Sequence, residues 1–228
     1  MRWVALLSAA ASTATAQGRV RVTGRVTMLE KGGKPSPDLA AAVVSLEGAA
    51  RGGGGGGAAP AQPTTVDIAI SDKEYVPRVV VVPVGSTARF TNRDPFDHNV
   101  FSASDSNAFD LGQYGRGEAK SQLFTHPGVV RVFCNVHPRM VAFVDVMSTR
   151  TYTQPASDGS FAIADVAPGV YTLRVWHERS PQVVRELRVT AAGASEIELE
   201  LDARGFHWAP HKNKYGKDYP TNAGRERY

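Results

Sequence analysis

A single cysteine, Cys134, is all the thiol chemistry the 228 residues contain. An internal disulfide is thereby excluded, as is any all-thiolate zinc or iron–sulfur site. Beyond residue 16 no apolar run approaches the ~18 residues that a membrane-crossing helix needs. Sustained helical periodicity is also missing, which argues against α/β and helical-bundle folds. There is no Gly-x-Ser-x-Gly elbow, no His-Glu-x-x-His helix and no Walker loop, so the common hydrolase, zinc-peptidase and nucleotidase chemistries have no residues to run on. The formal net charge of +4, from 26 basic and 22 acidic residues, is too balanced to argue for nucleic acid. Much of the excess crowds into Lys212, Lys214, Lys217, Arg225 and Arg227, so an electrostatic partner would be met locally, by that tail.

What is present is strand after short strand. Val66–Ile70, Val79–Val82, Thr87–Thr91, Ser121–Phe124, Val129–Cys134 and Ala142–Met147 are β-branched or alternating segments punctuated by Gly, Pro and Asp. Ser102 to Gly117 is rich in Ser, Asp, Asn and Gly and is expected to wrap the surface. Four further strands follow Met147: Asp158–Ile163, Ala167–Val175, Val183–Val189 and Glu196–Leu201, with Asp-Gly and Pro-Gly turns. Val20–Thr27 and Ala42–Leu46 supply two more near the start. The pattern is all-β, of the sandwich kind.

The chemistry concentrates in Phe133 to Met140, where Cys134, His137 and Met140 follow at three-residue intervals. A period of two puts Val130, Val132 and Cys134 on one strand face and Arg131 on the other, so the sulfur points inward at the strand's end. A thiolate and an imidazole sharing a metal with a weak Met sulfur make up most of a blue-copper site, and only a second imidazole is needed. His98, delivered by the turn Arg93-Asp-Pro-Phe-Asp97, is the candidate. Singly, each residue has an ordinary explanation: a buried small hydrophobe, a loop histidine, a core filler, a turn histidine. Together they require four coincidences. The other histidines form no His-x-His pair; His126 reads as an exposed turn residue, His177 as a strand-end or interface residue, and His207 and His211 as tail residues. A second, open copper site of the kind a copper oxidase needs therefore has little to draw on.

Asp94-Pro-Phe-Asp-His-Asn-Val100 followed by Cys134-Asn-Val-His-Pro-Arg-Met140 resembles the cupredoxins, the plastocyanin, pseudoazurin and amicyanin group; the Cys-x2-His-x2-Met spacing is most similar to amicyanin. The resemblance covers roughly Thr64 to Met147. It implies one copper ion held by His98, Cys134 and His137 with Met140 axial, and a one-electron carrier rather than an enzyme. It also implies that Asn99 lies behind the ligands and helps hold the thiolate; Asn135 is placed in the same surrounding shell. His137 is expected to be the least buried ligand and the electron port, ringed by Pro95, Phe96, Val136 and Pro138 as an apolar docking patch for a redox partner protein. Two rival readings share or discard the same residues: a copper-delivery module, or an interaction protein that binds no metal.

The second half is similar to the carboxypeptidase regulatory-like, or transthyretin-like, domains, whose opening strands match Val20–Val26 and Ala42–Leu46. The whole arrangement resembles so-called methylamine-utilisation proteins, although no residue identifies the electron donor. The expected organisation is a Greek-key cupredoxin sandwich at 64–147, inserted in or joined to an Ig-like, transthyretin-like sandwich made of 17–50 and 148–203. Insertion is favoured because loop tips tolerate inserted domains. Residues 51–63, with six consecutive glycines, read as a flexible linker, and 204–228 as a basic, aromatic tail that clads its own domains or docks on a partner or membrane surface. Residues 1–16 carry one charge, Arg2, then small and apolar residues ending Ala14-Thr15-Ala16, which reads as a secretory leader cleaved before Gln17. A buried helix is the alternative. Export would place the protein in the periplasm or outside the cell, with no transmembrane segment in the mature chain, and there an unliganded thiol would be an oxidation liability.

Overall fold

The structure is a computed structural model that describes residues 18–48, 61–194 and 196–219. The expected leader, most of the glycine linker and the end of the tail lie outside the described residues. Among the described residues sixteen strands account for almost all the regular structure, with two single-turn 3-10 helices at Leu39–Ala41 and Asp105–Asn107.

Strands β3 (Thr65–Ser71), β4 (Glu74–Val76), β5 (Val79–Pro83), β6 (Thr87–Asn92), β7 (His98–Ser102), β8 (Phe109–Tyr114), β9 (Ala119–Leu123), β10 (Gly128–Phe133) and β11 (Val141–Met147) form two sheets, ordered β4-β3-β6-β9 and β5-β11-β10-β7-β8. Their inner faces alternate as the sequence requires. Ala88 and Phe90 are buried while Arg89 is exposed, and Val130, Val132 and Cys134 are buried while Arg131 is exposed. Ile68, Ile70, Phe90 and Phe124 from one side meet Val100, Val132, Ala142 and Val144 from the other in one apolar core.

Three of these strands lie in stretches not read as strands: β4, β7 and β8. The surface wrap expected for 102–117 is corrected in its second half. Phe109–Tyr114 pairs antiparallel with β7, His98 opposite Tyr114 and Asn99 opposite Gln113, with an irregularity before Phe101. Its hydrophobic alternation is interrupted by Gly112 at φ 70, so neither period stands out in the sequence.

The remaining strands are β1 (Val20–Leu29), β2 (Val43–Glu47), β12 (Tyr152–Thr153), β13 (Ser160–Val166), β14 (Gly169–His177), β15 (Ser180–Val189) and β16 (Ile197–Asp202). They form sheets ordered β13-β1-β16 and β12-β2-β14-β15 around a core that includes Val22, Val26, Leu46, Leu173, Leu199 and Leu201. β1 runs down the middle of its sheet, antiparallel to β13 and parallel to β16. At Gly24 an added Cβ would sit 2.2 Å from the carbonyl of Ile197 and 2.7 Å from the Phe161 ring, so only glycine fits there.

The two sandwiches meet along the outer face of β11 and β5. Phe143 and Met147 project away from the inner core and pack with Val79, Ala41 and Val43, and Trp176 tilts against Phe143 at 5.3 Å. Beside this apolar seam Arg78 reaches Asp38 at 2.5 Å and Glu178 at 2.6 Å, while Arg179 reaches Glu30 at 2.7 Å and Asp38 at 3.2 Å. Asp38, His177 and Glu178 are close enough together to resemble a cation site. Their charges are already met by the two guanidinium groups, and His177 Nε2 faces the Asp38 carbonyl at 3.1 Å, so the cluster is an ionic joint between sandwiches.

Candidate metal centre

His98 opens β7 and Cys134 follows the last residue of β10, which neighbours β7 in the sheet. The pairing of Phe101 with Phe133 sets the two strands side by side, and the start of one strand lies near the end of its antiparallel neighbour. The loop from Cys134 to Met140 then turns, closed by the Met140 amide donating to the His137 carbonyl at 3.2 Å. Cys134 Sγ lies 3.7 Å from His98 Nδ1 and 3.7 Å from His137 Nδ1. The two imidazole rings are 4.8 Å apart. Met140 is buried in the same apolar cluster as Cys134.

All four groups are withdrawn from water. His98 and Cys134 are fully buried, Met140 is 1% exposed and His137, at 7%, is the least buried of the four. Burial pushes the Cys134 thiol up, against the amides of Val136, Asn99 and His137, which favour the thiolate. Burial likewise lowers the basicity of His98, opposed by Asp94, so the neutral, lone-pair-bearing imidazole is favoured there.

The two histidines are oriented by different means. His98 Nε2 meets the carboxylate of Asp94 at 2.8 Å, which fixes the proton on Nε2 and leaves Nδ1 as the free lone pair facing the sulfur. Asp94 is itself buried and accepts from the amides of Asp72 at 2.7 Å and Lys73 at 3.0 Å. Burial opposes its ionisation, but the Lys73 amide, His98 and the Asp72 amide together hold its carboxyl below the usual range. Asn92 secures the turn that carries it, accepting from the Asp94 amide at 2.9 Å and donating to the carbonyls of Phe96 and Tyr114 at 2.9 and 3.1 Å. His137 has an aromatic neighbour in Phe96, whose ring centroid lies 5.6 Å from it and 5.2 Å from that of His98. Pro95 is exposed and Phe96, Val136 and Pro138 are half-buried around this edge.

Asn99 acts on the sulfur through its backbone amide, while its side chain donates to Asp110 at 2.7 Å. The Asn135 side chain accepts from the amide of Lys214 at 2.9 Å. Sequence reasoning missed Asp94 and Asn92 as supports. The Asn92-x-Asp94 spacing and its place four residues before His98 carry that signal, but it becomes legible only once His98 is known to be buried. Sequence reasoning expected the tail to clad its own domains or dock elsewhere but did not place it at this site, where the Tyr219 hydroxyl donates to the Cys134 carbonyl at 2.7 Å and the His211 ring stacks on Phe133 at 4.3 Å. His126 and His207 are exposed and are not part of this cluster.

The donor set fits copper. Bonds of ~2.3 Å to sulfur and ~2.0 Å to nitrogen, the lengths zinc shows to these donors, put sulfur and nitrogen about 3.7 Å apart at angles near 120°, so both separations found here leave room for a metal ion between the donors. Two imidazoles and a thiolate with a soft thioether in the same core are the donor types of a blue-copper site. Residues 63–147 match the family model of copper binding proteins of the plastocyanin/azurin family. Among solved structures the chain is similar to a novel purple cupredoxin from Nitrosopumilus maritimus, at 27% identity over 36% of this chain and 98% of that one, with a TM-score of 0.33. A mutant of amicyanin in its Cu(I) form is 26% identical over 36% of this chain and 82% of its own, with a TM-score of 0.35. The copper-containing nitrite reductase of Thermus scotoductus SA-01 is 27% identical over 38% of this chain but only 22% of its own, with a TM-score of 0.34. No curated protein matches. The family match and the donor geometry coincide, and residues 63–147 are a cupredoxin domain of the copper-binding plastocyanin/azurin family.

Proposed function

We propose that this protein is an exported one-electron carrier whose single copper ion is held by His98, Cys134 and His137, with Met140 as the weak fourth ligand. The observation that carries the reading is the position of the Cys134 sulfur, 3.7 Å from an imidazole nitrogen on each side. Copper bound there supplies a Cu(I)/Cu(II) couple. The chain's part is to keep the donors still. His98 is clamped by Asp94, Cys134 is backed by amide dipoles, and both stand at the ends of paired strands, so little need move between oxidation states. Burial keeps water away from the sulfur. His137, the least buried ligand, and the apolar rim of Pro95, Phe96, Val136 and Pro138 form the face a redox partner would use.

The remaining histidines support a carrier over a catalyst, since among the described residues none joins a second cluster with another histidine or with cysteine. The leader-like residues 1–16 support export. We read the second sandwich as a regulatory-like host, interrupted between β2 and β12. Its support is that β1, β2 and β12–β16 pair only with one another and β3–β11 only with one another.

The test is the visible and EPR spectrum of the chain beginning at Gln17, loaded with Cu(II), beside its Cys134→Ser variant, followed by repeated reduction and oxidation. An intense thiolate charge-transfer band that is lost in the variant and survives cycling is the expected result. A colourless protein would sink the copper reading. A coloured protein that surrenders its metal during cycling would instead favour copper delivery.

A further inference from the structure

Beyond β16 the chain crosses from its own sandwich to the copper domain, and two turns shape the crossing. The Phe206 amide donates to the Ala203 carbonyl at 3.0 Å. Further on, the Asn213 side chain accepts from the amides of Tyr215 and Lys217, both at 3.0 Å, and the Gly216 amide donates to the Asn213 carbonyl at 2.8 Å. Gly216 sits at φ 74, where a side chain would be strained. This reversal brings His211 and Tyr219 together edge to face, with ring centroids 5.3 Å apart.

Several contacts of this loop fall on Cys134 and on residues beside the candidate ligands. His211 stacks on Phe133, the Tyr219 hydroxyl donates to the carbonyl of Cys134, and the Lys214 amide donates to the side chain of Asn135. The Lys214 ammonium reaches Asp110 at 2.6 Å, and Asp110 holds the side chain of Asn99, the residue after His98. Three consecutive residues at the start of the ligand loop and the neighbour of the other histidine are thus tied to one tail. The Cys134 carbonyl is the informative case. The β10–β11 ladder ends at Phe133 opposite Val141, so this acceptor lies past the last strand pair, and a buried carbonyl without a partner is costly. It is also only four covalent bonds from the sulfur, so fixing it limits where the sulfur can stand.

We propose that His211, Lys214 and Tyr219 are positioning residues of the copper centre, forming a strap that holds Cys134 and Asn135 in the ligating arrangement and covers the thiol from one side. The proposal rests on the copper reading of His98, Cys134 and His137, but its first consequence appears without metal. In the metal-free full chain, a thiol-specific reagent should modify Cys134 about fivefold faster in Tyr219→Phe, the change expected for losing one hydrogen bond of roughly 1 kcal/mol. The triple variant His211→Ala/Lys214→Ala/Tyr219→Phe should exceed that and should release Cu(II) to a chelator tenfold to a hundredfold faster, with a shifted thiolate band. The thiol rate should be insensitive to low urea, as a local opening is and global unfolding is not. Tyr215→Phe, at a ring 72% exposed, is the control and should change neither rate.

Rates of thiol modification and copper release within twofold of the parent, accompanied only by a lower melting temperature, would overturn the strap and leave the tail as simple adhesion. If the triple variant fails to fold, Tyr219→Phe alone decides. If the parent binds no copper, the copper reading fails while the thiol rates still judge the strap.

Discussion

Replacing Asp94 with Asn separates what holds His98 from what holds the fold. The carboxylate takes three donors at once: two amides from the β3–β4 turn and His98 Nε2–H. An asparagine has one oxygen and one NH2 group for the same three donors. Oδ1 accepts from the Asp72 amide, while Oδ2 accepts from both the Lys73 amide and His98 Nε2–H. If the asparagine oxygen takes the Oδ1 place, its NH2 opposes the Lys73 amide and faces the imidazole, which must move its proton to Nδ1, the atom that has to carry a lone pair toward the metal. If the oxygen takes the Oδ2 place, His98 and Lys73 keep their acceptor and only the Asp72 amide is opposed, at a residue whose φ of 54° leaves the turn little freedom. The second arrangement sets one donor against the NH2 and not two, so metal-free Asp94→Asn should keep the proton on Nε2 and lose about 1–3 kcal/mol of stability for one buried donor left without an acceptor. Copper affinity should then fall by less than the roughly tenfold that loss of an orienting partner costs. Urea denaturation gives the magnitude, chelator competition the affinity, and nitrogen chemical shifts of the imidazole in the metal-free protein the tautomer. A proton on Nδ1, or unchanged stability with affinity lowered more than tenfold, would refute the reasoning.

Two further perturbations address the second sandwich and its joint with the first. Asp145 lies on β11 facing the second sandwich, and burial, with the Glu47 charge, pushes its carboxyl from the usual 3.8 up to about 6. The folded state therefore binds this proton more tightly than the unfolded one. The stabilisation is complete below pH ~4 and is lost as pH rises through about 6, which leaves a penalty at pH 7 of up to roughly 3 kcal/mol. Urea denaturation should find Asp145→Asn more stable than the parent at pH 7 and equal to it near pH 4; an equal gain at both would be the wrong outcome. Gly24→Ala drives a methyl group into the Ile197 carbonyl and the Phe161 ring and should cost the second sandwich about 1–3 kcal/mol or more. Its thermal unfolding should move to lower temperature while the copper band at room temperature is retained, and an unchanged midpoint would contradict the packing described around β1.

The candidate ligands were legible because three of them share one short loop, and soft donors at that spacing have few other uses. The inward turn of Cys134 followed from a strand alternation that the core respects residue by residue. The supports were not legible for a different reason. Asp94 acts through a turn more than twenty positions earlier in the chain, and Tyr219 reaches a carbonyl 85 positions away. Nothing in local periodicity encodes either contact. β8 escaped notice because a half-buried strand beside a glycine kink keeps neither a clean alternation nor a continuous apolar run.

The strand pairings also order the assembly of the molecule in time. All partners of β3–β11 lie within one uninterrupted stretch of chain, whereas β1 must wait for β16, where Gly24 faces Ile197. The chain's way into the copper sandwich and its way out touch each other: the Leu46 amide donates to the Thr151 carbonyl at 2.8 Å, and the Thr151 hydroxyl returns to the Leu46 carbonyl across 105 positions. Closing a coil of that length costs entropy that grows by about 0.6 kcal/mol per doubling. Once the inner sandwich has condensed, its two ends are already neighbours and most of that entropy has been spent. The contact order of the whole chain is therefore nested, and the copper-binding part can fold first and act as the clasp that brings the outer sandwich together.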